Sequence, residues 1–318
     1  MSRLAAVFGL PVMTTQRTVL LAGASGVFGR RITRVLSDAG YSVLGLGRGE
    51  GNAIRADLLD RDQVMSAVRG RRADVAVHAA TALAKPPMRN KDMTATDALR
   101  TTGMRNFLEA AQEVGATKMI VESMVFGYGY RDFGTVPVTE DRAFGPHQAD
   151  PALEEHVAAM RTKEDLALRT PGIDGVALRF GLFYGPGATE YLVAMLRKRM
   201  MPAPTIGSHV LPWAHLDDAA GAVLAAIEHG RPGTAYNIAD DTPIGFADHL
   251  QATAAAFHTP KPLRIPAWTL RPMSYLYAFL HTNLQVSTER ATSEMAWRPR
   301  YRSVSEGLAA LASGTVPG

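Results

Sequence analysis

Residues 20–31 read Leu-Leu-Ala-Gly-Ala-Ser-Gly-Val-Phe-Gly-Arg-Arg. An apolar strand pattern leads into three glycines spaced three residues apart, and a helical pattern follows them. Glycines let the backbone turn tightly and approach a pyrophosphate, and the free N–H groups at a helix start meet its negative charge. The order strand, glycine turn, helix therefore predicts a dinucleotide-binding loop.

Strand and helix patterns alternate along the first two-thirds of the chain. The predicted strands are 18–22, 42–46, 73–78, 118–122, 175–180 and 234–238, and the predicted helices are 27–39, 61–70, 96–115, 152–170 and 216–229. This alternation predicts an α/β fold, a doubly wound parallel sheet of the Rossmann type. We expect a dinucleotide-binding domain from 17–184 plus 211–239 and a smaller, discontinuous substrate lobe from 185–210 plus 240–318.

Composition narrows the function classes. The 318 residues include no cysteine, which excludes disulfides, thiolate catalysis and a Cys-based zinc site. The net charge of +4 comes without a long basic run, so no nucleic-acid partner is expected. The apolar stretch 1–16 is broken by Gly9 and Pro11 and lacks a small-x-small cleavage site, so we interpret it as a disordered extension and not as a signal peptide. The apolar stretch 264–284 contains Arg271 and two prolines, which argues against a membrane span. A cytoplasmic protein without a metal is expected.

Several motifs resemble the extended and atypical branch of the short-chain dehydrogenase/reductase superfamily, the NAD(P)-dependent epimerases, dehydratases and reductases. These are the Gly-x-x-Gly-x-x-Gly loop, His78-Ala-Ala-Thr81, Tyr184-Gly-Pro-Gly187 and Trp213-Ala-His-Leu-Asp-Asp-Ala219. The resemblance runs from about residue 18 to about residue 311. It implies a nicotinamide cofactor, a small-molecule substrate and, by analogy with many relatives, a homodimer.

The end of the second strand bears on the choice of cofactor. Relatives that prefer NAD usually carry an acid where this chain has Gly47, and Arg48 follows. A guanidinium binds a 2′-phosphate, and Arg30 is a second candidate for it, so NADP is favoured, with NAD as the alternative. Arg48 as a plain surface residue stays open. The predicted cofactor-binding residues are Gly23, Ser25, Gly26, Val27, Phe28, Gly29, Arg30, Arg48, Asp57, Leu58, Ala79, Ala80, Thr81, Lys163 and Phe180.

The active site departs from the pattern of the resembled family. Relatives share a Ser or Thr, together with Tyr-x-x-x-Lys on one helix, where an ammonium four residues away lowers the pKa of the phenol. Lys163 fits the lysine, but Ala159 stands at the tyrosine position. For the hydroxyl residue, alignment on Phe-Gly points to Glu122 and alignment on Tyr-Gly points to Met124. Ser123 lies one residue off either way and stays a candidate.

Another group must then replace the missing tyrosine. Our first hypothesis is that Tyr128 donates the proton, and the second is His156, seven residues before Lys163. The predicted function is an NADP(H)-dependent oxidoreductase acting on a carbonyl or hydroxyl of a small, rather apolar molecule. The alternatives are an epimerase or dehydratase that regenerates its cofactor, and an NADP-binding sensor or scaffold protein.

Overall fold

A computed structural model describes residues 16–83 and 85–314. The predicted extension, residues 1–16, lies outside these ranges except for its last residue. The strands are β1 (Thr18–Ala22), β2 (Ser42–Gly47), β3 (Ile54–Arg55), β4 (Val75–His78), β5 (Lys118–Met124), β6 (Asp174–Phe180), β7 (Leu182–Tyr184), β8 (Ala203–Thr205), β9 (Trp213–His215), β10 (Thr234–Ile238) and β11 (Arg264–Pro266).

The helices follow the strands in alternation through the first two-thirds of the described chain. They are α1 (Val27–Asp38), α2 (Arg61–Val68), α3 (Thr94–Ala98), α4 (Met104–Glu113), α5 (Pro151–Arg169), α6 (Thr189–Arg197), α7 (Leu216–His229), α8 (Phe246–Ala256), α9 (Ser274–Leu280), α10 (Glu289–Met295) and α11 (Val304–Ser313). Short 3-10 turns cover Asn90–Met93, Val125–Tyr128 and Ala267–Leu270.

Seven of the described strands form one sheet, which is parallel throughout, in the order β10-β6-β5-β4-β1-β2-β3. The other four form two parallel pairs, β7 with β9 and β8 with β11. One face of the sheet packs against α1 and α7, and the other packs against α2, α4 and α5. The strand order reverses between β1 and β4, and in such sheets ligands bind at the carboxyl ends of the strands next to that reversal. The predicted doubly wound α/β fold is confirmed.

Two local predictions need correction. The predicted helix 96–115 is divided into α3, a wide π turn at Leu99–Gly103, and α4. At the turn, a Cβ on Gly103 would lie 3.2 Å from the Leu99 side chain and 3.6 Å from Leu58, so close packing favours glycine there. The two-residue strand β3 was not predicted, since so short a segment carries no period-2 pattern.

The carboxyl-terminal segment contributes to the main sheet's core. Ala291 and Met295 of α10 and the following Trp297 are buried in the cluster formed with α1 and α7. Trp297 Nε1 donates to the carbonyl of Asp218, and a carboxylate oxygen of Asp218 accepts from the Tyr301 backbone N–H at 3.0 Å. This part of the predicted lobe therefore packs with the dinucleotide-binding half.

Candidate active site and cofactor cleft

The glycines after β1 are required by close backbone contacts. Gly23 has φ +87°, and a Cβ on it would lie 2.8 Å from the Ala79 carbonyl oxygen. A Cβ on Gly29 would lie 2.0 Å from the Gly23 carbonyl oxygen, which no rotamer change relieves. The loop therefore packs closely against the carboxyl ends of β1 and β4.

The start of α1 is open to an anion. Its N-cap is Gly26, which offers no side-chain cap, and the first turn carries no acidic residue. The first N–H groups of a helix have no partner inside it, and here no cap replaces one. Ser25 and Val27 are exposed beside these groups, while Phe28 is buried below. The loop fits a dinucleotide pyrophosphate.

The end of β2 carries a second position that could bind an anion. Arg48 is exposed, and Arg30 donates to the Ser25 carbonyl across the loop. Asn52, which the sequence reasoning missed, donates to the Gly49 carbonyl at 2.9 Å and lies 3.5 Å from Ser25 Oγ. A Cβ on Gly47 would lie 3.1 Å from Asn52 Nδ2, so an acidic side chain at position 47 would have to displace this amide.

The turn after β3 is fixed by its own hydrogen bonds. Asp57 Oδ1 accepts from the Leu59 backbone N–H at 3.0 Å, and Asp60 caps α2 by accepting from Gln63. Asn106 donates to the Leu58 carbonyl at 2.7 Å. Asn106 therefore braces the turn that carries Asp57 and Leu58, two of the predicted cofactor-binding residues.

The turn after β4 lies against the glycine loop. Ala79 and Ala80 are buried, and the Ala79 N–H donates to the Ala22 carbonyl, which joins the ends of β4 and β1. Thr81 Oγ1 lies 3.4 Å from Thr96 Oγ1. His78 is fully buried with its ring edge-on to Phe107, and burial holds its pKa well below the usual range. It is a packing residue.

Phe180 lies at the end of β6 with its side chain in the core. The side chain is fully buried, with the ring centroid 5.3 Å from Phe28 and 5.2 Å from Phe183. The ring therefore contributes packing, and a contact of Phe180 with the cofactor stays a prediction.

Lys163 and Glu122 form a buried ion pair. Lys163 Nζ donates to Glu122 Oε2 at 2.8 Å, and the two side chains are 1% and 13% exposed. Burial alone would raise the pKa of Glu122, but Lys163 and Arg100 outweigh it and the pKa falls, so Glu122 is ionised. Of the two alignments of β5, the one that places Glu122 beside Lys163 agrees with the structure.

Ser123 does not reach this pair in the way a catalytic hydroxyl would. Neighbouring strand residues point to opposite faces, so Ser123 projects away from Glu122. Its Oγ is buried and has no hydrogen-bond partner within the described residues. The position next to Lys163 belongs to Glu122, and the interpretation of Ser123 as the catalytic hydroxyl is not supported.

Tyr128 belongs to a different hydrogen-bond network. Its hydroxyl accepts from Arg179 Nη1 and donates to Asn237 Oδ1, both at 2.9 Å, and its side chain is fully buried. Arg179 in turn donates to both carboxylate oxygens of Glu164 on α5. Burial raises the pKa of Tyr128 to about 12. Because the hydroxyl is occupied on both sides, the structure does not support Tyr128 as the proton donor.

His156 has a carboxylate partner that the sequence did not reveal. Its Nδ1 lies 2.6 Å from Asp97 Oδ2, and Arg100 Nη1 donates to the other oxygen of Asp97 at 3.2 Å. His156 Nε2 is buried without a hydrogen-bond partner in the described chain. Asp97 and Arg100, three residues apart on the predicted helix 96–115, carried no motif. In the sequence, only the seven-residue spacing between His156 and Lys163 indicated that His156 lies near the site.

An aromatic wall adjoins this polar cluster. Tyr130 and Tyr275 share a hydrogen bond between their hydroxyls at 3.0 Å, and the Tyr275 ring lies edge-on to His156. Phe126 stacks on Tyr130 and also contacts Phe279 of α9. Side chains from the turn after β5 and from the smaller lobe thus meet around His156.

The motifs Tyr184-Gly-Pro-Gly187 and Trp213–Ala219 have structural roles. Tyr184 donates to the Ser303 carbonyl, and Asp217 pairs with Arg31 at 2.6 Å. The N-cap of α7 is His215, so Asp217 lies in the first turn of the helix and does not cap it. Within residues 16–83 and 85–314, no group of three or more acidic or histidine side chains could hold a metal ion. No helix in these ranges is long and apolar enough to cross a membrane.

Comparison with known proteins identifies the family. The model of the NAD dependent epimerase/dehydratase family matches residues 19–239, more than half of the chain. The chain belongs to that family. The proteins that this chain resembles are named as reductases, dehydratases and epimerases. The protein is therefore an NAD(P)-dependent enzyme of this family.

Three members show how far the likeness extends. A 3-diazoavenalumate denitrifying reductase from a Streptomyces species is 32% identical over 308 residues, covering 91% of this chain and 98% of the relative. A UDP-glucose 4-epimerase from Thermotoga maritima has a TM-score of 0.75 at 18% identity, covering 93% of this chain and 97% of that one. A human epimerase family protein with NADPH has a TM-score of 0.75 at 18% identity, covering 93% of this chain and 99% of that one. The two solved structures support the fold alone.

Proposed function

We propose that the protein is an NADPH-dependent reductase of a small aromatic molecule that carries a diazo group. The observation that carries this is the likeness to the denitrifying reductase, which spans nearly the whole length of both chains. By its name, that relative reduces a diazo compound with loss of nitrogen.

The residues present fit the cofactor. Backbone N–H groups at the start of α1 would hold the pyrophosphate, and Arg48 with Arg30 would hold the 2′-phosphate of NADPH. Lys163 donates one N–H to Glu122 and would offer the others to the nicotinamide ribose. When bound, the nicotinamide supplies a hydride.

The site also bears on the alternatives. Epimerases and dehydratases begin by removing a proton from a substrate hydroxyl, and the tyrosine that serves this purpose in relatives is Ala159 here. The same absence disfavours the carbonyl substrate expected from the resemblance, whose reduction ends with protonation of an oxygen.

The test is hydride transfer from labelled cofactor. NADPH or NADH carrying deuterium at C4 is mixed with a stable arenediazonium salt, and the arene product is analysed by mass spectrometry. We expect deuterium in the arene product. We also expect the cofactor to be oxidised faster when it is NADPH than when it is NADH, and faster with the protein than without it. Binding of NADPH without transfer to any acceptor would favour a sensor. Binding of neither nucleotide would refute the proposal.

A further inference from the structure

One side chain of α1 joins this helix to two elements outside it. Arg31, in the second turn of α1, donates from Nη1 to Asp217 Oδ1 at 2.6 Å and from Nη2 to the Pro186 carbonyl at 2.7 Å. Asp217 lies in the first turn of α7, and Pro186 lies in the loop between β7 and α6. A guanidinium carries its donors in a rigid fork, so binding both acceptors fixes the loop relative to both helices.

The loop that Arg31 binds, residues 185–187, lies directly against the start of α1. Gly187 has φ +90°, and a Cβ on it would lie 2.7 Å from Val27 Cγ1. Val27 is the first residue of α1 and comes four positions before Arg31, so the two side chains share one helix face. The loop therefore packs against the same turn of α1 that would offer its N–H groups to the pyrophosphate.

The same loop is tied to α6, the first helix of the predicted substrate lobe. The Gly185 carbonyl accepts from the Thr189 N–H, and Thr189 Oγ1 accepts in return from the Gly185 N–H, both at 2.9 Å. The Gly187 N–H donates to Glu190, in the first turn of α6, at 2.6 Å. Because of these three hydrogen bonds, a movement of the loop away from α1 would move the start of α6 with it.

The bond to Pro186 is not needed for the packing of the two helices. The helices α1 and α7 already pack together through buried apolar side chains. Pro186 is only half-buried and Gly187 is exposed, so apolar burial does not hold this part of the loop in place. The polar contact from Arg31, which is itself only 20% exposed, therefore decides where the loop lies.

We propose that Arg31 is a positioning residue that couples the cofactor site to the predicted substrate lobe. It holds residues 185–187 against the first turn of α1, and a nucleotide bound at that turn would in turn order the loop and α6. Coupling between two sites is reciprocal, so a loop held in place also favours nucleotide binding. The inference rests on the cofactor of the family and does not depend on the diazo substrate.

Hydrogen exchange in the peptide 185–197, with and without saturating NADP⁺, measures this coupling. In the wild type, we expect NADP⁺ to slow the exchange. In Arg31→Gln, we expect the slowing to be lost and the Kd for NADP⁺ to rise about tenfold, within the usual range of coupling between sites. The control Arg34→Gln makes the same chemical change at an exposed position of α1 and should keep both values. The same measurements with NAD⁺ cover the alternative cofactor.

A second variant displaces the loop without changing Arg31. Gly187→Ala adds a Cβ at a φ of +90° and within 2.7 Å of Val27, so we expect the loop to leave α1 and the slowing to be lost again. A Kd and a slowing equal to those of the wild type, in either variant that folds, would overturn the proposal, as would the absence of slowing in the wild type. These measurements use no hydride acceptor, so they leave the reductase function to be decided by its own test.

Discussion

Replacing Tyr128 by Phe separates a packing role from a catalytic one. The substitution keeps the ring and removes only the hydroxyl, which accepts from Arg179 and donates to Asn237 at 2.9 Å each. Since neither partner is exposed to solvent, the lost bonds cannot be replaced by water without rearrangement.

The expected cost follows from the two bonds. A hydrogen bond to a charged group contributes about 1.5–3 kcal/mol and a neutral one about 0.5–1.5 kcal/mol, so the free energy of unfolding should fall by about 2–4 kcal/mol. In a chain of this size, that corresponds to a decrease in Tm of roughly 3–6 °C. Arg179 keeps its bonds to Glu164, which limits the loss.

Thermal and urea unfolding measure the loss, and turnover is normalised to the folded fraction. Tyr184→Phe is the matched control, because its hydroxyl makes a single bond, to the Ser303 carbonyl, and should cost about 1 kcal/mol. We expect turnover per folded molecule to stay unchanged in Tyr128→Phe. A variant with wild-type stability and lost turnover would show that the phenol acts on the substrate after all.

Three further outcomes are expected. Arg48→Ala should raise the KM for NADPH about tenfold or more, which is the scale of one charge-assisted hydrogen bond, and should leave the KM for NADH unchanged. An equal increase in both KM values would place Arg48 away from the 2′-phosphate. Gly29→Ala should abolish nucleotide binding, measured by fluorescence titration, because the new Cβ would meet the Gly23 carbonyl at 2.0 Å. Burial raises the pKa of Asp240 to about 8, whereas the unfolded chain releases this proton near pH 4. The contribution of this group to the free energy of unfolding therefore falls as the pH rises from about 4 to 8. The Tm of Asp240→Asn relative to that of the wild type should increase over this range. A difference in Tm that does not change with pH would contradict the shift in pKa.

The sequence carried the fold because its signals are local. The glycine loop and the apolar runs of β4 and β5 each depend on residues within a few positions, and each lies where it was predicted. Lys163 was predicted from the resemblance of its segment to the family's Tyr-x-x-x-Lys, although Ala159 stands at the tyrosine position. Which of its neighbours it pairs with was left open between two alignments of β5.

The roles of the side chains around the site depend on partners that are distant in sequence. Tyr128 is held by residues 51 and 109 positions away, and Asp97 lies 59 positions before His156. No local pattern records such contacts, so an exposed-looking tyrosine in a loop could not be told from one fixed in the core. The contact of Phe180 with Phe28, 152 positions earlier in the chain, was hidden for the same reason.

The bonds from Trp297 and Tyr301 to Asp218 limit how the molecule can be cut or swapped. A fragment ending before Trp297 would lack part of the wall that covers α7 and would leave apolar surface open to solvent. Chimeras that exchange substrate preference between relatives should therefore graft internal loops and retain each parent's own tail.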